Sequence, residues 1–195
     1  MKALFKRTRC ISLTLSLIFI IILSGCVKFS EYIIDKSAGM NGSFEYTKSG
    51  LPVNGLLYTS KTVETGDFDI IFDTTEFKDG NQSLKFLVRK CSAVGGWKSP
   101  GFCNEDDADP GETYKVSFWV KNKGCEFFVR VGGVSAFKGE YETVVRSNET
   151  IDDWRQFIYD YTIPQKMNRI RFEMNIFHPG SFWIDDVRIE RIVTL

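Results

Sequence analysis

The sequence predicts an all-β domain, an antiparallel β-sandwich with the strand count of a jelly roll. Three observations predict it. Apolar and polar residues alternate in "NRIRFEMNIF", where Ile170, Phe172, Met174 and Ile176 fall on one face and Arg169, Arg171, Glu173 and Asn175 on the other. Turn signals punctuate the chain at Asp79-Gly80, Gly95-Gly96, Asp109-Pro110-Gly111, Lys123-Gly124 and Pro179-Gly180. No segment sustains a helical period, and 17 Phe, 7 Tyr and 4 Trp among 195 residues suit strands.

Residues 1–25 stand apart from that domain. Lys2, Lys6, Arg7 and Arg9 make a basic start without an acid, and Ile11 to Leu23 is apolar, the length of a signal-peptide core and short for a membrane span. Leu23-Ser24-Gly25-Cys26 resembles the lipobox of bacterial lipoproteins. That resemblance implies cleavage before Cys26 and acylation of the cysteine; a plain signal peptide or a transmembrane anchor is the alternative. Two or three acyl chains anchor stably where one does not. The expectation is a lipid-anchored domain on the non-cytoplasmic side of a bacterial envelope. Val27 is not the aspartate that retains many lipoproteins in the inner membrane, so the outer membrane is expected where one exists. Residues 26–40 read as the lipidated cysteine and a tether, and 41–195 as a single domain. Without residues 1–25 the chain carries 21 basic and 25 acidic side chains, net −4, which gives no basic field for nucleic acid.

Strands are expected in order near 53–63, 67–73, 82–91, 113–122, 125–134, 141–146, 154–163, 168–178 and 181–192. The third has Leu84, Phe86 and Val88 inward; the fourth has Val116, Phe118 and Val120 inward and Trp119 on the opposite face. Arg130, Glu173 and Asn175 also fall on the face away from the core. The acidic run from Glu105 to Asp109 reads as a solvated loop, and Trp154 and Trp183 as core residues.

Cys91, Cys103 and Cys125 remain beside the lipidated Cys26, an odd number for an oxidising compartment. Cys91 and Cys103 bracket a Gly-rich loop and are the favoured disulfide, although spacing leaves pairings with Cys125 open. His178, the one histidine, sits in a Phe-His-Pro-Gly turn and reads as a surface residue. No multi-histidine zinc site is possible, and no pair of carboxylates nominates itself for catalysis. The last strand poses a separate problem: Asp185 and Asp186 are adjacent in "FWIDDVRIE", so alternation turns one of them inward, where a carboxylate needs a partner.

Five motifs in sequence, "NGSFEY", "DGNQSLKF", "DPGETYKVSFWVK", "DDWRQF" and "FWIDDVRIE", resemble carbohydrate-binding modules of families 4, 9 and 22, the galactose-binding-like jelly rolls. The resemblance covers nearly all of residues 41–192. It implies a structural calcium ion where the first and last strands meet, held by Glu45 and by Asp185 or Asp186; the alternative is that one aspartate caps a bulge and the other is solvated. It also implies a non-catalytic domain that binds a polysaccharide or oligosaccharide through aromatic rings and nearby polar groups. Trp97, after Gly95-Gly96, is the first candidate for such a platform, with a core position the alternative. Trp119 is the second, Arg130, Glu173 and Asn175 supply polar contacts, and Tyr58 and Phe137 are weaker loop candidates. Such modules usually accompany a catalytic domain, so the expected partners are a glycan, the membrane through the anchor, and a separate enzyme or envelope protein. An envelope lipoprotein that binds a protein through the same fold is the competing expectation.

Overall fold

The computed structural model describes residues 41–136 and 138–192. The described residues form twelve strands and one short 3-10 turn: β1 Thr47–Lys48, β2 Leu51–Pro52, β3 Leu56–Tyr58, β4 Asp67–Asp73, β5 Ser83–Lys90, η1 Gly96–Lys98, β6 Gly101–Asp107, β7 Thr113–Lys123, β8 Phe127–Ser135, β9 Lys138–Ser147, β10 Ile151–Thr162, β11 Arg169–Ile176 and β12 Gly180–Arg191. Two five-stranded antiparallel sheets face each other, one in the order β10-β7-β12-β5-β4 and the other in the order β3-β6-β11-β8-β9. This is the sandwich the alternation predicts. The signal-peptide and tether segments, Cys26 and Phe137 lie outside the described residues.

The core lies between the sheets because alternate residues of each strand are large and apolar. Phe102, Phe118, Phe127, Phe172 and Phe182 are fully buried, and edge-on, tilted and stacked contacts link their rings with Phe44 and Phe157 at centroid separations of 4.9–6.3 Å. Burying each such ring contributes on the order of 2 kcal/mol.

Three expectations fail in instructive places. The span near 53–63 is not one strand: within it only Leu56–Tyr58 is extended, as β3, after Asn54 with its left-handed backbone angle and before a turn in which Thr62 and Val63 both donate to the Thr59 carbonyl. The acidic run is not a loop, because Glu105 to Asp107 finish β6 and Glu105 is paired with Arg169 and Arg171 of the neighbouring β11. Trp154 is only half-buried, on the edge strand β10 where its register with β7 shifts. Trp183 is buried, on the outer face of its sheet, where its indole donates to Asp73 at 2.9 Å and Lys85 lies over the ring.

The Cys91–Cys103 bridge is not formed; all three cysteines of the described domain are thiols. Cys103 lies within β6, opposite Leu56 and Glu173, on the outer face of one sheet. Cys91 follows β5 of the other sheet and packs against the core. Cys125 is fully buried just after β7, against the Gly180 corner at which β12 begins beside β5. Burial pushes its thiol up to about 12, with the nearby Cys91 adding to the effect.

The adjacent aspartates have protein partners. β12 bulges between Asp185 and Arg188, and Asp186 adopts a positive φ of 50° there, so strand alternation is interrupted at the pair. Asp185 is fully buried and accepts backbone N–H groups from Lys78 at 2.6 Å, Asp79 at 3.0 Å and Asp186 at 2.7 Å. Asp186 is paired with Arg188 at 2.5 Å. Glu45 accepts the N–H groups of Asn81 and Gln82 at 2.8 and 3.1 Å. Glu45 and Asp185 thus clamp the same turn, residues 78–82, from two sides. Glu45, Asp185 and Asp186, the residues that the resemblance implies for calcium, are engaged by N–H donors and an arginine, and among the described residues no three acidic, histidine or cysteine groups converge.

Candidate functional site

The outer face of the β3-β6-β11-β8-β9 sheet gathers most of the candidates. Strand register sets its rows. Leu56, Cys103, Glu173, Arg130 and Thr143 lie across it in one row; Tyr58, Gly101, Asn175, Phe128 and Arg146 form the next. On the other side run Glu105, Arg171, Gly132 and Tyr141. Side chains on one face of successive strands meet in this way because the period is two. Gly132 has a packing reason. A Cβ there would come within 2.3 Å of the Tyr141 ring, which lies across β8 beneath the Arg130 guanidinium at 4.3 Å.

Glu173 is the hub of this face. Only 2% of it is exposed; Oε1 accepts the Tyr58 hydroxyl at 2.6 Å and Oε2 accepts Nε of Arg130 at 2.5 Å. Desolvation alone would make such a carboxylate costly, and the two donors compensate it. Burial, together with hydrogen bonds to Cys103 and Glu173, raises the Tyr58 phenol far above its ordinary range, so it stays a neutral donor. Tyr58 is therefore a buried strand residue that positions Glu173, not the exposed loop ring expected.

Asn175 likewise supports the site from below. Its amide accepts the Gly96 N–H and donates to the Gly96 carbonyl, both at 2.9 Å, fixing the loop on which Trp97 stands. Gly95 and Gly96 take φ of 85° and 57°, angles that favour glycine. Ser99 closes the loop by accepting the Gly95 N–H and donating to the Ser92 carbonyl. Held in this way, Trp97 remains 57% exposed. It walls a groove of 590 Å³ whose other sides are Phe128, Phe177, Arg130, Arg146 and Asn175. A second hollow of 280 Å³ lies on its far flank, against Thr62 and Glu64. Phe128 and Phe177 stack at 5.7 Å, and the Arg146 guanidinium lies over Phe177. The volume is within the usual range for small-ligand sites, roughly 300–1,000 Å³.

Of the residues expected to bind, the structure brings Trp97, Arg130, Asn175, Glu173 and Tyr58 to one face. Trp119 is not among them. It lies on β7, on the outer face of the other sheet, with Lys78 over its ring at 4.1 Å. Sequence reasoning missed Tyr141, Phe128, Phe177, Arg146 and Arg171. The strict alternation of β11 marks Arg171 as outward, but only the register of β8 and β9 brings Tyr141 beside it and puts Arg146 in the row of Asn175.

The sequence model of the carbohydrate binding domain family matches residues 37–179. No curated protein matches the chain. Among solved structures, the fold is similar to a family-4 carbohydrate-binding module at 14% identity, covering 78% of this chain and 98% of that one with a TM-score of 0.55. It is similar at 16% identity to a family-22 xylan-binding domain, covering 80% of this chain and 99% of that one, TM-score 0.51. A third neighbour comprises family-22 and catalytic modules of endo-1,4-beta-D-xylanase 10B from Clostridium thermocellum, complexed with xylohexaose, at 19% identity and TM-score 0.54. That match covers 71% of this chain and about a quarter (26%) of the xylanase chain. With the two-sheet jelly-roll sandwich and the matched span together, the chain belongs to the carbohydrate binding domain family.

Proposed function

We propose that this domain binds a polysaccharide chain along the groove beside Trp97 and does so without catalysing its cleavage. The observation that carries the reading is the exposed Trp97 ring, held in place by the Asn175 clasp and flanked by two hollows. An indole presented in this way offers a flat apolar face to a pyranose ring, and Arg130 and Arg146 offer donors to its hydroxyls. The carboxylate at the groove, Glu173, is engaged by Tyr58 and Arg130, which suits a charge anchor more than a proton donor. Family membership and the xylan-binding and xylohexaose-bound neighbours support a glycan as the ligand class. Acylation of Cys26 would hold the domain at the non-cytoplasmic surface of a bacterial envelope membrane, beside a separate enzyme.

Gel retardation of residues 27–195 in soluble polysaccharides tests the reading. Retardation by at least one polysaccharide is expected, and Trp97→Ala weakens it about tenfold or more, the scale of a stacking contact worth more than about 1.4 kcal/mol. Undiminished retardation of Trp97→Ala would place the site elsewhere. Absence of retardation across a broad panel would sink the glycan reading and turn attention to a protein partner.

A further inference from the structure

The charges around the groove are one-sided. The lining of the larger groove includes Lys98, Arg130 and Arg146 and no acidic residue, with Glu64 confined to the hollow on the far flank of Trp97, whereas the hollow on the opposite sheet around Trp119 mixes Lys78, Lys115 and Arg188 with Asp79, Asp186 and Glu190. This does not follow from composition, since the chain carries equal numbers of acidic and basic side chains. The carboxylates that pair with the groove arginines sit deeper than their partners. The Glu173 side chain is 2% exposed against 31% for Arg130, and Glu126 31% against 57% for Arg146. Both arginines engage their carboxylate through Nε and Nη2, the donors of one edge, while a guanidinium has five donors in all. Each cation is also steadied over a ring: Lys98 over Trp97 at 5.2 Å, Arg146 over Phe177 at 5.2 Å and Arg130 over Tyr141 at 4.3 Å. A neutral glycan needs rings and hydroxyl partners. Three cations fixed beside the aromatic platform, two of them with counter-charges that sit deeper than they do, match a sugar that carries its own negative charge.

We propose that the ligand is an acidic polysaccharide, and that Lys98, Arg130 and Arg146 recognise the carboxylates of its uronate units. The proposal rests on the glycan-binding reading above and names the class of glycan. Planar carboxylate–guanidinium pairing supplies both strength and orientation, and the charge of Glu173 is offset by Arg130.

The test uses one polymer in two charge states. Polygalacturonate and the same polymer with its carboxyls methyl-esterified are compared in retardation gels, with neutral xylan and dextran sulfate alongside. Polygalacturonate is expected to retard the protein, with binding that weakens as salt rises. Methyl esterification is expected to weaken retardation about tenfold or more, and Lys98→Ala and Arg146→Ala each to do the same toward the unesterified polymer. Both side chains are exposed, so circular dichroism and thermal melts should match the parent protein. Lys115→Ala, on the opposite sheet, should bind as the parent does. Equal retardation by the esterified polymer or by xylan overturns the charge selectivity and leaves glycan binding standing. Retardation by dextran sulfate alone overturns the uronate assignment in favour of sulfate esters. No retardation by any of the four overturns the acidic-glycan proposal, while the broad panel described above decides the underlying reading separately.

Discussion

Two buried aspartates show how depth of burial, weighed against donors, sets the sign of a pH effect. Burial opposes the charge of Asp73, yet Thr75, the Trp183 indole and Lys85 all donate to it and hold its carboxyl well below the usual carboxylate range. Asp185 has only backbone N–H donors, and burial pushes its carboxyl up to about 7 in spite of them. The consequences are opposite. Asp73 contributes stability that is present above its unfolded-state value near pH 4 and lost as the pH falls below it. Asp185 keeps its proton in the folded state where the unfolded chain releases it, so its contribution is full below about pH 4 and is lost as pH rises through about 7. Its contribution to stability should therefore decline between about pH 4 and about pH 7, by on the order of a few kcal/mol. Urea midpoints measured across that interval check this, and Asp185→Asn should flatten the decline. An unchanged slope in the variant would assign the effect to another group. From sequence the pair was visible as a problem; its solution was not, because the partners of Asp185 at residues 78 and 79 are backbone groups more than a hundred positions away.

At the scale of elements, period-two alternation identified most strands and placed Arg130, Glu173 and Asn175 on an outward face. It failed where polarity comes from pairing. β6 ends in Glu105, Asp106 and Asp107, which read as a loop until β11 supplies Arg169 and Arg171 across the register. The cysteines make the same point. Position in the chain favoured Cys91 with Cys103, but the bridge would have to join the end of β5 to the outer face of the opposing sheet. Cys91 and Cys125 instead share one end of the sandwich, where both pack into the core beside the Gly180 corner. Treatment with oxidised glutathione should join Cys91 to Cys125, the thiols losing two protons and two electrons as glutathione disulfide is reduced. Cys103 should remain a thiol. Peptide mapping without reductant checks the pairing, and recovery of a Cys91–Cys103 peptide pair would contradict the arrangement of the strands.

For the whole molecule, the central question is which of two outer faces works. Both bear a tryptophan and several cations, and the alternation that turns Trp119 and Arg130 outward does not say on which sheet either lies. Sheet order separates them. The β3-β6-β11-β8-β9 face collects a continuous network from Glu105 through Arg171, Tyr141, Arg130 and Glu173 to Tyr58. The other face has Trp119 under Lys78 with acids and bases interspersed. The sequence could show that these residues point outward and that the chain resembles a glycan binder. It could not show that a single face holds the groove, since that depends on the order in which distant strands pair.

Cys103 gives that face a measuring mark. It sits one strand over from Glu173, in a hollow bounded by Leu56, Glu105 and Arg171, some way along the sheet from Trp97. Burial raises its thiol above the ordinary value, so it reacts slowly with an uncharged maleimide, and any molecule lying over it slows the reaction further. A short oligosaccharide seated at Trp97 should leave the labelling rate unchanged, whereas a chain long enough to cross the Arg130–Glu173 row should suppress it. The ligand length at which protection begins would then be the footprint of the site, counted in sugar units by a single sulfur atom.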